Sequence, residues 1–151
     1  MLKIELEIRG LDKLSERLRQ AIPRARKNVA RELYLFAEEV MAISKERVPV
    51  DTGALMSTGK VMPPEDDDGK ISVVMGYGDE STNYALYVHE ALEGARPPSP
   101  NWSWTKKVAA GGQIAWSRPG SGPKYLENPL KENQDKLPGR IRDAVVEAFK
   151  E

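Results

Sequence analysis

The chain has 151 residues, 40% of them hydrophobic and 30% charged, with 23 basic and 23 acidic side chains and no cysteine. That length suits one domain with its own core, and the balanced charge supplies no global pull toward nucleic acid or membrane. The absence of cysteine excludes disulfides, thiolate catalysis, thiolate-bound zinc and iron–sulfur clusters, and a single histidine, His89, excludes a multi-histidine metal centre. No apolar run approaches the roughly 20 residues that span a bilayer, and Met1 to Glu7 lacks a secretory apolar core, so the expected setting is the inside of a cell.

Leu2, Ile4, Leu6 and Ile8 alternate with Lys3, Glu5, Glu7 and Arg9, the period-two pattern of a strand with one buried face, closed by Gly10. The period then changes. Leu11, Leu14, Leu18, Ile22, Ala25, Val29, Leu33, Phe36, Val40 and Ile43 recur at steps of three and four, one apolar helical stripe with Asp12 as N-cap. Pro23 removes an amide donor and predicts a kink or break near Ile22. The second piece, Arg24 to Glu46, must stop before Val48-Pro49, because the residue preceding a proline avoids the α region. Val50-Asp51-Thr52-Gly53-Ala54-Leu55 predicts a turn, with Asp51 accepting amide bonds and Gly53 taking positive φ. Strands are expected near Met56–Met62 and Ile71–Tyr77, joined by a solvated connection at Glu65-Asp66-Asp67-Asp68-Gly69. Gly78–Asn83 has turn composition, and Tyr84–Glu90 fits a strand or a short helix.

Ala91 to Pro123 is rich in glycine and proline and holds all three tryptophans, Trp102, Trp104 and Trp116. A loop of this length is expected to be functional or mobile; inside it, Lys106–Ala110 and Gln113–Ser117 flank Gly111-Gly112 as a candidate hairpin. The C-terminal part returns to helix, with Asn128 as N-cap, Pro129 at the first position and an apolar stripe through Leu130, Leu137, Ile141, Val145, Ala148 and Phe149. Pro138 must kink or divide it.

Catalytic candidates are few. His89-Glu90 is an acid–base pair with no nucleophile and no second carboxylate at defined spacing. Glu65 to Asp68 is contiguous, whereas a calcium loop alternates its oxygen ligands over about twelve residues. No glycine-rich phosphate cradle occurs. The segment 13–31 is basic, and Arg17, Arg19, Arg24, Arg26, Lys27 and Arg31 are its candidate DNA-proximal residues; such side chains also cover an exposed helix face without a ligand. Trp102, Trp104 and Trp116 are candidate protein-interface residues, since tryptophan is enriched at contact hot spots. Nothing calls for a cofactor or a metal.

One ordered set of segments carries a family resemblance. The long helix runs into Val48-Pro49-Val50-Asp51-Thr52-Gly53-Ala54-Leu55; Asn83-Tyr84-Ala85-Leu86-Tyr87-Val88-His89-Glu90 follows; Gly122-Pro123-Lys124-Tyr125-Leu126-Glu127-Asn128-Pro129-Leu130 leads into the last helix. This order resembles the tailed-phage minor structural proteins that join head to tail, the neck or tail-completion family. Val48, Pro49, Asp51, Thr52, Gly53 and Leu55 form the motif matched most specifically. The resemblance implies no catalytic residues, an α+β subunit forming an oligomeric ring, other head–tail connector and tail proteins as partners, and a place in the virion after assembly in the bacterial cytoplasm. The expected fold is a single α+β domain, an antiparallel sheet packed against a long N-terminal helix and a C-terminal helix. A cytoplasmic nucleic-acid-binding protein using helix 13–31 is the rival reading, and a small hydrolase centred on His89 and Glu90 the third.

Overall fold

The structure, a computed structural model, describes residues 11–50, 52–79, 82, 84–90, 105–106, 115–116 and 118–150. The expected strand at Leu2–Ile8, Asp51, Trp102, Trp104 and most of the glycine- and proline-rich stretch lie outside the described residues. The fold is α+β, a long N-terminal helix and a C-terminal helix with small antiparallel strand pairs.

Helix α1, Leu11–Arg47, is 37 residues long and continues through Pro23. The expected break near Ile22 is absent. Pro23 and Arg19 are both exposed, so the carbonyl that loses its amide partner faces water, where the loss costs least. The C-terminal half of α1 carries the buried face: Phe36, Ala37, Val40, Met41 and Ser44 are buried, followed by Val48 just past the helix. This is the three- and four-residue spacing of the sequence stripe.

A glycine in the left-handed region, Gly53 at φ 86°, starts the short helix α2, Ala54–Ser57. The expected strand at Met56–Met62 is therefore helical at its start. Next come β1, Lys60–Val61, β2, Glu65–Asp67, β3, Lys70–Ser72, and β4, Met75–Gly76. β1 pairs antiparallel with β4 and β2 with β3. Lys60 opposes Gly76 and Val61 opposes Met75, and the Met62 amide donates to the Val74 carbonyl. Beyond that point Glu65 opposes Ser72. Two residues, Pro63 and Pro64, therefore face one, Val73, and the two pairs form one hairpin interrupted by a bulge. Neither proline has an amide hydrogen, which explains why the ladder lapses there.

The predicted connection at Glu65–Gly69 is solvent-exposed as expected, and it is formed by strand and turn. Asp68 and Gly69 take φ 46° and 92°, the two positive values of a type I′ hairpin turn, and Asp-Gly is the dipeptide that favours it. The hairpin lies along α1. Near its tip Asp66 accepts both arms of the Arg26 guanidinium at 2.8 and 2.6 Å; at its base the Tyr77 hydroxyl donates to Ser44 at 2.9 Å.

Helix α3, Ala85–Glu90, settles the ambiguous segment as helix. β5, Thr105–Lys106, pairs antiparallel with β6, Ala115–Trp116, within the expected hairpin; the residues joining them lie outside the description. Helix α4 spans Glu127–Asn133 with Leu126 as N-cap, two residues ahead of the predicted start at Asn128-Pro129. Pro129 falls in the first turn, where amides need no intrahelical partner. A 3-10 turn, Gln134–Lys136, and helix α5, Leu137–Glu147, follow, with Pro138 in the first turn of α5, so the predicted division is found. α5 packs antiparallel on α1: Asn28 donates to the Ala144 carbonyl at 3.2 Å, and Arg140 pairs with Glu32 at 3.1 Å and Glu39 at 2.7 Å while lying 5.9 Å from the Phe36 ring centroid.

Candidate functional site

The three segments that carry the sequence resemblance converge. Val48 from the first, Ala85 and Val88 from the second and Tyr125 from the third join Leu55 in one buried cluster, with Met56, Tyr77, Tyr84 and Leu126 packed against it. Each segment is also tied to another by the backbone. The Gly122 amide donates to the Arg47 carbonyl at 3.1 Å and the Lys124 amide to the His89 carbonyl at 2.8 Å. The Tyr125 hydroxyl, wholly buried, donates to the Ala85 carbonyl at 2.9 Å. The rings of Tyr77 and His89 both stand edge-on to Tyr125, each at 5.1 Å between centroids, the geometry favoured by the aromatic quadrupole. Burial pushes the Tyr125 phenol above its ordinary range, so it remains a donor.

The first motif works locally. Pro49 and Val48 are buried, Gly53 supplies the left-handed φ, and the Ala54 amide donates to Thr52 Oγ1 at 3.3 Å. The space among Pro49, Thr52, Gly53, Ala54, Leu55, Tyr84 and Val88 holds about 10 Å³, room for about one water and no ligand. Arg47 closes the other side with a two-pronged bond to Glu132 at 2.8 and 2.7 Å, which raises the Arg47 pKa and lowers that of Glu132. Arg118 donates to the Glu46 carbonyl at 2.6 Å, capping the end of α1.

A charged rim borders this junction. His89 Nδ1 lies 2.7 Å from Glu90 Oε1, and the Glu127 amide donates to His89 Nε2 at 3.3 Å. Because Nε2 accepts, the ring hydrogen sits on Nδ1 and points at Glu90. The Lys124 ammonium reaches Glu90 at 2.5 Å and Glu127 at 2.9 Å, and Lys131 also pairs with Glu127. Lys131 first, then Lys124, hold the Glu127 carboxyl down at about 2. Lys124 first, then His89, lower Glu90. His89, Glu90 and Glu127 stand close enough together to be considered as metal ligands. However, the Lys124 ammonium occupies the position between the two carboxylates, and both His89 nitrogens are engaged. The donor set fits a salt-bridge network linking α3 to α4 rather than a cation site. It also leaves His89 without a lone pair directed at a substrate.

The basic residues of α1 do not form one patch. At 100° per residue, Arg17, Arg24 and Arg31 share one side of the helix, while Arg19 and Arg26 lie nearly opposite. Arg19 pairs with Glu16 at 3.3 Å, Arg31 approaches Glu32 at 3.9 Å, and Arg26 is committed to the hairpin. Lys27 is exposed. Arg17 and Arg24 border a groove of about 370 Å³ with Leu18, Ala21 and Phe149. Of the tryptophans, only the backbone of Trp116 is described, in β6.

Four polar contacts that position these elements were not foreseen: Arg26–Asp66, Arg47–Glu132, Lys124–Glu90 and Tyr125–Ala85. They join residues 34 to 85 positions apart, beyond the reach of any local pattern.

No protein-family model matches the chain, and comparisons with curated proteins and with solved structures return no match. Among the described residues, no helix is long and apolar enough to cross a membrane.

Proposed function

We propose that this protein is a non-enzymatic structural subunit of a phage or prophage virion, a neck or tail-completion protein acting as an oligomeric ring between head and tail. The observation that carries the reading is the convergence of the three resembling segments. They are separated by 28 and 32 positions in sequence (Leu55 to Asn83, Glu90 to Gly122), yet they form one cluster through Val48, Ala85, Val88 and Tyr125. Segments that share a motif order with a family and also share one core act as a structural unit, with the Val48–Leu55 motif as its corner.

The chemistry of the junction supports a scaffold role. Its polar groups bond to one another, the space under the Val48–Leu55 corner is water-sized, the open pocket of about 220 Å³ beside Leu86 and Leu126 is lined mainly by apolar and aromatic side chains, and its one histidine is tied between an acid and a backbone amide. The division of basic residues between two sides of α1 weakens the nucleic-acid reading, which needs a continuous cationic track. Trp102, Trp104 and Trp116 remain the proposed contact residues toward other subunits, because large aromatic area favours burial.

Deletion and complementation test this. A phage or prophage lacking the gene is expected to make filled heads and separate tails that fail to join, with joining restored by the gene in trans. Fully infectious particles without the gene would overturn the proposal. Rescue by a chain carrying Trp102→Ala, Trp104→Ala and Trp116→Ala together is expected to be weak; full rescue would remove the tryptophans from the interface.

A further inference from the structure

We infer that the outer face of the hairpin, residues 60–76, docks into the groove between α1 and the end of α5 on a second copy of this chain. The inference deepens the ring proposal and rests on it for its biological setting. Its physical basis is a match between two surfaces on opposite sides of α1.

The hairpin has two faces. Residues opposite one another across a ladder share a face, and the face alternates along each strand. Asp66, opposite Ile71, faces α1, where it accepts the Arg26 guanidinium. Glu65, opposite Ser72, and Asp67, opposite Lys70, therefore face away. Val74, two residues on from Ser72, is 62% exposed, and Met62 beside it is 45% exposed. The outer face thus combines an apolar patch with an acidic tip, where Glu65, Asp67 and Asp68 outnumber Lys70.

The groove carries the complement. Leu18, Ala21 and Phe149 line a space of about 370 Å³, with Arg17, Arg24 and Lys150 around it. Leu18 is 42% exposed and Phe149 48%. Glu147 pairs with Lys150 at 2.7 Å, so the two arginines supply the positive charge of the rim. A guanidinium fork suits a carboxylate. Apolar patch meets apolar floor while acid meets base, a match that fixes the orientation of the contact.

A chain cannot make this contact with itself. Its hairpin is held to α1 at Arg26 and Ser44, which share one side of the helix at 100° per residue, whereas Arg17 and Arg24 lie nearly opposite. The outer face points away from the helix whose far side holds the groove, so the groove it fills belongs to another copy. The two patches differ, which makes the contact heterologous, the type that propagates and can close into a ring. Their heights agree as well. Arg24 and Arg26 are about 3 Å apart along the axis, so repeated contacts climb little along α1, which suits closure over a rising filament.

The cysteine-free sequence makes the test direct. One chain carries Lys70→Cys on the hairpin, and a second, of different length through a fused tag, carries Gln20→Cys at the groove; both positions are exposed. The two are mixed at high protein concentration, oxidised mildly and separated on a non-reducing denaturing gel. A disulfide requires Cα atoms within about 7 Å, so the mixed pair is expected several-fold above the yield of random pairing. Arg17→Glu in the groove chain is expected to abolish that excess, and Asp67→Arg in the hairpin chain to restore it, with circular dichroism showing unchanged helix content. Random pairing, an excess of groove–groove pairs, no disulfide, or a groove that binds a short DNA duplex in place of the hairpin would each overturn the contact. These outcomes are independent of whether deletion of the gene blocks head–tail joining: random pairing with failed joining removes the contact alone, and an excess of mixed pairs with infectious deletion particles removes the virion role alone.

Discussion

The motif junction and the far end of the α1–α5 pair treat apolar surface in opposite ways. At the junction, Val48, Leu55, Ala85, Val88 and Tyr125 are no more than 8% exposed, and every connecting segment is bonded to another. At the far end, Leu18, Ile22, Val146 and Phe149 remain 42–52% exposed, beside a groove with a cationic rim. Both regions have the apolar residues for burial; only the junction has three chain segments to supply it. Burial is therefore densest at the junction and thinner at the far end, although Leu86 in α3 is itself 71% exposed.

The largest expected effects come from emptying the junction. Tyr125→Ala removes a buried ring and a buried bond and is expected to lower unfolding free energy by about 3–5 kcal/mol. Tyr125→Phe keeps the ring but strands the Ala85 carbonyl, for about 1–3 kcal/mol. Denaturant titration of both variants checks the order, and equal losses would show that the bond, rather than the ring, sets the cost.

Next is the corner. A side chain at Gly53 meets no atom within 4 Å, but φ is +86°, so strain alone decides the effect. Gly53→Val is expected to cost about 1–3 kcal/mol and Gly53→Asn distinctly less, since asparagine tolerates the left-handed region. Equal losses in thermal melts would point to a contact instead.

A smaller effect is expected at the rim. The Glu127 carboxyl is depressed from 4.5 to about 2, so its contribution to stability is present above pH 4.5 and is lost as pH falls toward 2. Removing Lys131 should move the Glu127 titration back up, with Lys124→Ala moving it less. Carboxyl chemical shifts followed against pH read both. Smallest of all, Leu18→Ser with Ile22→Ser should change the stability of the chain by only about 0.5 kcal/mol in thermal melts, because both side chains are already 42% and 52% exposed; a loss of several kcal/mol would show that they are packed.

The same contrast explains how much the sequence disclosed. Local signals were legible: the three- and four-residue stripe gave α1 and its stop before Pro49, the Asp-Thr-Gly run gave a positive φ at Gly53, and Pro138 gave the division before α5. Pro23 misled because its cost depends on whether the freed carbonyl meets water, which the residue itself does not encode. Asp68-Gly69 was a readable hairpin turn hidden in an acidic run whose charge suggested solvent. The Pro63-Pro64 bulge needs the register of both strands before it can be recognised. The junction was legible only as three separate motifs; that Tyr125 reaches Ala85, and Arg47 reaches Glu132, follows from tertiary placement alone.

The central claim is most directly tested by locating this chain in the intact particle. Cryo-electron microscopy of the purified virion, with the subunit fitted as α1, the hairpin and the 48–55 corner, is predicted to show a closed ring of copies between the capsid portal and the tail. Particles whose head–tail joint contains no copy of the chain would contradict the account.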